Sequence, residues 1–413
     1  MTHKHKSLEV SKQMIPYGKH FIDEDDIQAV TEVLRNGWLT QGPKVSEFEV
    51  KIAEYVGAKF AIAVSSGTAA LHLSALVLDL PANCKVITSN NTFVATANCI
   101  RYVGCKPLLC DIEEDSLNMD PVLLGRLLKK HPRVGAIIPV HFAGLPCDMK
   151  SISCLVKNNS IKIIEDASHA LGAKYEDGGR VGNCKFSDLT VFSLHPVKGV
   201  TAGEGGVITT NDEVLYKRLQ MLRSHGICKG NFDLPGVSKP GDDLFYKDKG
   251  IESGKLNPWY YEMQSLGFNY RITDIQCALA LSQLNKLDIF IKRRKEIVRI
   301  YDDNLKNLQN ISSVQIHKRA NSAHHIYVIR IDFLKLKKSR GDLMRELLKL
   351  GIGTQVHYIP VARHPYYAET GYKAEDYPNT ENYYSEALSI PLYFGISNSQ
   401  IKYILKCLRE ALN

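Results

Sequence analysis

One lysine of this sequence stands on a turn that suits covalent chemistry. Lys198 lies in the stretch SLHPVKGVTAGEGG, residues 193–206, between two apolar runs of β type at residues 189–192 and 207–210. Pro196 and the four glycines of this stretch exclude a regular helix or strand. A free lysine, with a pKa near 10.4, is unprotonated in only about one of a few thousand molecules at neutral pH. A stiff, shielded turn holds such an amine ready to attack a carbonyl compound. The alternative is a surface lysine on an ordinary hairpin.

An aspartate at the end of another apolar run supplies a complementary group. Residues 161–166, IKIIED, predict a short buried strand that ends at Asp166 and is followed by Ala-Ser-His-Ala. Pyridoxal phosphate (PLP) requires a lysine that forms an imine with its aldehyde and a carboxylate that keeps its pyridine nitrogen protonated. The protonated ring then withdraws electrons from the substrate carbon. The two motifs together indicate a PLP site in which Lys198 and Asp166 are catalytic.

These motifs resemble those of one protein family. EDASHALGA at residues 165–173, and S-x-H-P-x-K followed by GEGG, are similar to segments of the DegT/DnrJ/EryC1/StrS sugar aminotransferases. The resemblance covers essentially the whole chain from residue 15 onward. Gly199 and Ala202 depart from the family pattern, in which Asn or Pro and Thr are frequent at these places. The chemistry requires neither side chain, so we expect a change in loop stiffness or substrate fit.

The resemblance implies further contacts with the cofactor. The segment SSGTAALH follows a strand and begins a helix, and its small residues let a phosphate approach the helix N-terminus. It matches the S-G-T-x-A-L segment of the family, which assigns the phosphate to Thr68 and Ala69, with Ser193 as a further donor. Phe93 would stack on the cofactor ring, and His169 would lie against its phenolic oxygen. From the residues alone, Phe93 is nearly as well explained as a core residue, and His169 as a structural histidine.

The same resemblance implies an active site shared between two copies of the chain. In the family, the G-x-N-x-R segment, here residues 267–271, reaches into the neighbouring subunit. Asn269 would there meet the PLP phosphate, while Arg271 could serve either substrate or structure. We therefore predict a homodimer with shared active sites.

Three stretches narrow the resemblance to the transaminases of the pseudaminic acid pathway: WLTQGPKVSEFE, NPWYYEMQSLGFNYRITDIQ and GTQVHYIP. The implied substrates are glutamate and a UDP-linked keto-sugar. The amino group goes to C4 of a 4-keto-6-deoxy-N-acetylhexosamine and gives UDP-4-amino-4,6-dideoxy-N-acetyl-β-L-altrosamine. The candidate substrate contacts are polar or aromatic residues, namely Tyr17, Trp38, Thr40, Arg271, His357 and Tyr358.

Several alternatives stay open at this point. The first is another nucleotide-sugar 3- or 4-aminotransferase of the same family. A sugar 3-dehydratase of the same fold is disfavoured, because those enzymes carry histidine at the place of Lys198. A non-catalytic regulator or scaffold predicts loss of Lys198 or Asp166, and both are present. A nucleotide-sugar binder without PLP would give a colourless purified protein.

Composition excludes several other classes of function. The chain has 413 residues, of which 44% are hydrophobic and 23% charged, as in ordinary soluble globular proteins. The net charge of +8 is modest, and the basic cluster at residues 292–295 has no nucleic-acid reader motif beside it. The ten cysteines have no metal-ligand spacing and predict a reducing compartment. No signal peptide or membrane span is evident, so we expect a cytoplasmic protein without nucleic-acid, membrane or metal partners.

Alternating strands and helices between residues 60 and 210 predict a mainly parallel sheet covered by helices, with ligand groups at one edge. The resemblance implies the α/β fold of PLP-dependent transferases of the aspartate aminotransferase type (fold type I). We expect a polar tail at 1–14, a large PLP-binding domain at 15–285 with a mainly parallel mixed sheet, and a smaller C-terminal α/β domain at 286–413. Residues 229–257 predict a surface loop, and residues 351–360 predict a strand of the small domain.

Overall fold

The computed structural model describes residues 14–157, 160–229, 251–252, 255–305, 308, 310–313 and 321–412. Except for Met14, the predicted N-terminal tail lies outside the described residues. The same holds for residues 230–250 and 253–254 of the predicted surface loop.

A seven-stranded sheet forms the centre of the larger part of the molecule. Its strands are β1 (Phe60–Val64), β2 (Lys85–Ser89), β3 (Lys106–Cys110), β4 (Val134–Ile138), β5 (Lys162–Asp166), β6 (Leu189–Ser193) and β7 (Gly206–Thr210). Their order is β1-β7-β6-β5-β4-β2-β3. Strand β7 runs in the direction opposite to that of the other six strands. Nearly all of their side chains are buried, because helices cover both faces of the sheet. The predicted α/β fold with a mixed, mainly parallel sheet is confirmed.

Most of the helices that cover the sheet begin after a residue whose side chain accepts hydrogen bonds from backbone amides of the first turn. The covering helices are α1 (Glu24–Asn36), α2 (Pro43–Val56), α3 (Gly67–Leu76), α4 (Val94–Tyr102), α5 (Pro121–Lys130), α6 (Met149–Val156) and α7 (Glu213–Arg223). Asp120 caps α5 and Asp212 caps α7, each by accepting from two amides of the first turn. Two apolar clusters pack around the sheet, one of which includes Phe48 and Phe192 and the other Ile62 and Leu73.

A long helix, α8 (Asp274–Leu305), connects the large sheet to a second, smaller sheet. Short strand pairs precede it, formed by β8 (Ile227–Cys228) with β11 (Glu262–Met263), and by β9 (Ile251–Glu252) with β10 (Lys255–Leu256). The second sheet is antiparallel and consists of β12 (Ile311–Ser313), β13 (Tyr327–Ile331) and β14 (Ala387–Ile390).

Helix α11 (Pro365–Ala368) packs against α4 and β3 of the large sheet, whereas α9 (Phe333–Leu336), α10 (Arg340–Lys349), α12 (Pro378–Glu386) and α13 (Asn398–Leu412) surround the second sheet. Its core joins side chains of β13, α10 and α13 to the C-terminal half of α8, for example Ile329, Leu347, Leu408 and Tyr301. Of the helices in the described part of the chain, none combines the length and the apolarity that a membrane crossing requires.

Two predictions need comment. The strand predicted at 351–360 is wrong: the segment forms only isolated bridges, of Ile352 with Ile15 and of Gln355 with Ser389. The proposed domain boundary at residue 285 falls inside α8, which continues unbroken to Leu305. The division into two domains at this residue stays a prediction.

Candidate active site

A cavity of about 570 Å³ lies at the edge of the large sheet where its parallel strands end. Asp166 and Ser193 are the last residues of β5 and β6, and the segments after β1 and β2 bring Thr68 and Phe93 to the same edge. In open α/β sheets, ligands bind outside the carboxyl ends of the strands. The predicted site residues that line the cavity are Tyr17, Thr68, Phe93, Asp166, His169, Ser193, Lys198, His357 and Tyr358.

Lys198 stands on a closed turn between β6 and β7. Its backbone N–H donates to the His195 carbonyl at 2.8 Å, and Leu194 closes the base of the stretch with bonds to Gly205 and Ala202. Burial among protein atoms lowers the pKa of the Lys198 amine to about 8, against the opposing influence of the Asp166 carboxylate. At pH 7 about a tenth of such amines are neutral, compared with fewer than one in a thousand ordinary lysines. The turn therefore favours a nucleophilic amine.

Asp166 is held by neutral donors. Its Oδ2 accepts from the Thr96 hydroxyl at 2.7 Å, and its Oδ1 accepts from the Ser168 hydroxyl at 2.6 Å and the Ser168 backbone N–H at 3.1 Å. The side chain is buried but lines the cavity. These donors fix the carboxylate without neutralising its charge, so it can accept a further hydrogen bond from a cationic ligand group. Neither Thr96 nor Ser168 was predicted as a site residue, although Ser168 lies inside the segment EDASHALGA and Thr96 lies three residues after Phe93.

The N-terminus of α3 forms one end of the cavity. Ser66, Gly67 and Thr68 line it, and the first amides of a helix carry partial positive charge. A side chain at residue 67 would bring its Cβ to 2.9 Å from Ser193 Cβ, so glycine is required for this close approach. Ala69 lies buried behind the lining, and its N–H donates to the Ser66 hydroxyl at 3.0 Å. Ser66 was not predicted as a site residue.

Neutral histidines form another wall of the cavity. His169 Nε2 is bonded to the Tyr358 hydroxyl at 2.8 Å, and the His169 ring lies 4.3 Å from the His325 ring, measured between centroids. Burial, together with the charge of Lys198, holds the pKa values of His169 and His325 well below the ordinary value. Both rings are therefore neutral at physiological pH. His325, which precedes β13, was not predicted as a site residue. No motif near it in the sequence indicates that it lies at the edge of the large sheet.

Aromatic rings and a further histidine surround the opening. His357 Nδ1 is bonded to the Ser389 hydroxyl at 2.8 Å, and burial lowers the pKa of His357 to about 4. The Tyr17 ring lies 5.5 Å from the His357 ring, and Phe93 lies 5.9 Å from Tyr358, again between centroids. Phe93 is 57% exposed, so its ring is available to stack on a planar ligand rather than buried in the core.

The remaining predicted residues lie outside the cavity of their own chain. We call residues 37–42 and 267–273 the ridge. It carries Trp38, Thr40, Asn269 and Arg271, none of which is among the described residues that line the cavity. Trp38 is 70% exposed, and Thr40 and Asn269 are exposed as well. The Asp274 carboxylate joins the two segments of the ridge by accepting from the backbone amides of Gly42, at 2.8 Å, and Lys44, at 2.9 Å.

The cavity fits PLP in several respects. A carboxylate bound only by neutral donors can meet a pyridinium, and a helix N-terminus beside the Ser193 hydroxyl can receive a phosphate. The buried Nδ1 of His169 has no partner among the described atoms, which leaves one polar atom for a ligand. Lys198, whose amine has a lowered pKa, lines the same cavity. The described residues contain no group of three or more His, Cys, Asp or Glu that could hold a metal ion.

Comparison with known proteins identifies the family. The model of the DegT/DnrJ/EryC1/StrS aminotransferase family matches residues 20–409. The spore coat polysaccharide biosynthesis protein SpsC of Bacillus subtilis is 38% identical over 400 residues, which are 96% of each chain. The UDP-4-amino-4,6-dideoxy-N-acetyl-β-L-altrosamine transaminase of Campylobacter jejuni is 36% identical over 391 residues, which are 95% of this chain and 96% of that one.

Solved structures agree with this result. Helicobacter pylori PseC, an aminotransferase of pseudaminic acid biosynthesis, superposes with a TM-score of 0.85 at 29% identity, covering 97% of this chain and 99% of that one. The putative sugar aminotransferase Spr1654 of Streptococcus pneumoniae, in its PLP form, gives a TM-score of 0.84 at 28% identity, covering 97% and 98%. The chain belongs to the DegT/DnrJ/EryC1/StrS aminotransferase family and is a PLP-dependent sugar aminotransferase.

Proposed function

We propose that this member of the DegT/DnrJ/EryC1/StrS family transfers the amino group of glutamate to C4 of a UDP-linked 4-keto-6-deoxy-N-acetylhexosamine. The product would be UDP-4-amino-4,6-dideoxy-N-acetyl-β-L-altrosamine, as for pseudaminic acid synthesis. The observation that carries the transaminase chemistry is the presence of Lys198 and Asp166 in one cavity. The C4 assignment is supported by the 36% identity to the Campylobacter jejuni transaminase over 95% of the chain.

In this proposal each residue of the cavity has a defined task. Bound PLP supplies an electron-withdrawing ring that makes the α-carbon of the amino donor acidic. Asp166, fixed by Thr96 and Ser168, accepts the hydrogen bond of the ring nitrogen and keeps that nitrogen protonated. As a neutral amine, Lys198 Nζ would take the proton from the donor α-carbon, and as an ammonium group it would deliver that proton to the cofactor carbon that takes over the nitrogen. The lowered pKa of Lys198 keeps both forms accessible near pH 8.

The other residues of the cofactor site would bind PLP and fix its orientation. Thr68 and Ser193 bind the phosphate, together with the first turn of α3 and its cap Ser66. Ala69 contributes through this cap, because its amide already bonds Ser66. Phe93, which lines the cavity with an exposed ring, would stack on the cofactor ring. Neutral His169, oriented by Tyr358, faces the phenolic oxygen.

Substrate binding would use both parts of the chain and a second copy of it. Tyr17, His357 and Tyr358 lie in the cavity and would contact the sugar or the uridine. Trp38, Thr40 and Arg271 belong to the ridge and would reach the site of the neighbouring copy, where Asn269 would meet the phosphate. We therefore propose a homodimer with two shared sites.

A reducing compartment is part of the proposal. All ten cysteines are free thiols in the structure, and most are buried. Disulfides are rare in the cytosol, and free thiols persist there. We propose that the reaction takes place in the cytoplasm.

A second candidate is another nucleotide-sugar 3- or 4-aminotransferase. It is favoured by one observation: SpsC, whose name states no sugar, is 38% identical, slightly more than the altrosamine transaminase. The two candidates share the chemistry of Lys198 and Asp166 and differ only in the sugar and the carbon that receives nitrogen.

A panel of keto-sugars decides between them. The purified enzyme is incubated with glutamate and UDP- or dTDP-linked 4-keto and 3-keto sugars, and the product is identified by NMR. We expect amination at C4 of the UDP-linked N-acetylhexosamine, with Lys198→Ala protein as the control for uncatalysed reaction. A wide preference for dTDP-sugars, or amination at C3, would contradict the C4 assignment and leave the transaminase chemistry intact.

A further inference from the structure

A second buried carboxylate lies directly beside Asp166 in the chain. Glu165 and its hydrogen-bond partner His141 are both completely buried. Because successive side chains of a strand point to opposite faces, Glu165 lies on the face of β5 away from the cavity. Its Oε2 accepts from His141 Nε2 at 2.7 Å and from the Tyr175 hydroxyl at 2.6 Å, while its Oε1 accepts from the hydroxyls of Ser187 and Thr190.

The protonation state of this pair follows from its hydrogen bonds. His141 Nδ1 accepts from the backbone N–H of Cys147 at 3.1 Å, so that nitrogen carries a lone pair and the proton lies on Nε2. His141 is therefore a neutral imidazole that donates to a charged carboxylate. Hydrogen bonds from His141, Ser187 and Tyr175 hold the pKa of Glu165 below its ordinary value in spite of its burial. Within the described residues, no Lys or Arg pairs with Glu165.

His141 also holds the backbone of the strand end. Its N–H donates to the Asp166 carbonyl at 3.0 Å, and the Asp166 N–H donates to the Pro139 carbonyl at 2.9 Å. One residue thus holds two successive residues of β5, Asp166 by its main chain and Glu165 by its ring. A rotation or slide of this strand end would break both contacts at once, and it would also displace the Asp166 carboxylate.

We propose that Glu165 and His141 are positioning residues that fix the orientation of the Asp166 carboxylate toward the cofactor. The inference rests on the proposed role of Asp166. Thr96 and Ser168 hold the two carboxylate oxygens of Asp166, but they do not hold its backbone. The Glu165–His141 pair does so from the opposite face, with a charged group whose burial is unfavourable unless it is fully hydrogen-bonded. Apolar residues of the same volume would fill this space without locking the strand end.

The chain contains a matched control for this network. Asp111 follows β3, is also buried, and accepts from four neutral donors: the backbone amides of Ile112, Asn379 and Thr380, and the Thr380 hydroxyl. It fastens the segment at 379–380 to the large sheet and does not line the active-site cavity. Asp111→Asn therefore perturbs a comparable buried carboxylate without touching the Asp166 strand end.

The test compares Glu165→Gln, Asp111→Asn and Asp166→Asn in the full-length protein. For each, PLP affinity is measured by titrating the apoenzyme, the pH midpoint of the absorption band is measured in the holoenzyme, and kcat and KM are measured for the glutamate half-reaction. For Glu165→Gln we expect about tenfold weaker PLP binding, a shifted pH midpoint and about tenfold lower kcat at similar KM. For Asp111→Asn we expect a lower melting temperature but PLP affinity, midpoint and kcat within about twofold of wild type.

Two outcomes separate this inference from the proposed function. If Asp166→Asn retains near-normal turnover, the proposed role of Asp166 is wrong. If Asp166→Asn is inactive but Glu165→Gln behaves like Asp111→Asn, only the positioning role is overturned. Should Glu165→Gln fail to fold, Tyr175→Phe removes a single donor from Glu165. A threefold or larger loss of PLP affinity with a shifted midpoint then supports the inference, and an unchanged affinity and midpoint contradicts it.

Discussion

The cavity and the ridge differ in how they present the predicted site residues: the cavity gathers them inside one chain, whereas the ridge exposes them on its surface. In the cavity, the ends of β5 and β6 bring Asp166 and Ser193 together within one chain, and hydrogen bonds fix the groups that surround Lys198. On the ridge, Trp38 and Asn269 are exposed and are not among the described residues that line the active-site cavity. The comparison indicates that one chain can assemble the groups for proton transfer by itself. In the proposed homodimer, a second copy would close the site around phosphate and sugar.

The strongest test of the role proposed for the cavity residues is removal of the Lys198 amine. Lys198→Ala should lower transamination by at least about four orders of magnitude, because the described residues that line the cavity include no other lysine. Borohydride reduction of wild-type holoenzyme followed by peptide mass spectrometry should show a pyridoxyl group on Lys198. Lys185→Ala, a change of an exposed lysine, is the control and should keep normal activity. A pyridoxyl group on a different lysine would contradict the assignment.

A smaller loss is expected from the carboxylate. Asp166→Asn keeps the hydrogen bonds of Thr96 and Ser168 possible but cannot hold the ring nitrogen protonated. The lost charge-assisted bond should lower the rate of the glutamate half-reaction roughly a hundredfold or more. Stopped-flow absorbance of the cofactor measures this rate directly. Turnover close to that of wild type would rule out the proposed role.

The lowered pKa of Lys198 predicts a pH dependence of cofactor loading. Only the neutral amine attacks the aldehyde, and its fraction rises as pH increases through about 8. The rate at which apoenzyme captures PLP should therefore increase about tenfold between pH 7 and pH 9 and then level off. If the rate still rises steeply above pH 9.5, Lys198 has the pKa of an ordinary exposed lysine.

Mixing of subunits tests whether the ridge completes the active site of a second copy of the chain. Lys198→Ala protein is refolded together with an Asn269 variant that no longer binds cofactor. About half of randomly paired dimers are mixed, and one of their two sites has both residues intact, so activity should return to roughly a quarter of wild type. Each variant refolded alone is the control. A mixture that stays inactive after confirmed subunit exchange, or a monomer in sedimentation, would contradict the shared site.

The smallest effects are expected from substrate contacts. Tyr17→Phe in the cavity and Trp38→Ala on the ridge should each raise the KM for the nucleotide sugar by about three- to tenfold, while the glutamate half-reaction stays unchanged. Steady-state kinetics with both substrates measures the difference. An equal effect on both half-reactions would mean that the residue holds the cofactor or the fold rather than the sugar.

Sequence patterns predicted the strands and helices of the large sheet well, because strand composition, turn residues and helix caps agree there. The alternation of strands and helices predicted between residues 60 and 210 is found there as β1 to β7 with α3 to α6. The segment at 351–360 failed as a strand, since strand propensity alone does not provide an edge with which to pair.

The site was predictable where a motif carries its chemistry, as for Lys198. It was not predictable where a group acts through tertiary contacts. Thr96 lies close to Phe93 in sequence and Ser168 lies two residues after Asp166, but only the fold shows that both hold the Asp166 carboxylate. His325 and the Glu165–His141 pair are joined to the site by packing across distant parts of the chain, which no local pattern indicates.

Helix α8 limits how the enzyme can move. It contains 32 residues without glycine or proline, so it spans about 48 Å and has no built-in hinge. It begins at Asp274, which fastens the ridge, and its last turns enter the core of the small sheet. Swinging the small sheet away from the large one would require bending a regular helix. We therefore expect substrate to enter through the loops at the cavity mouth rather than by a hinge inside α8.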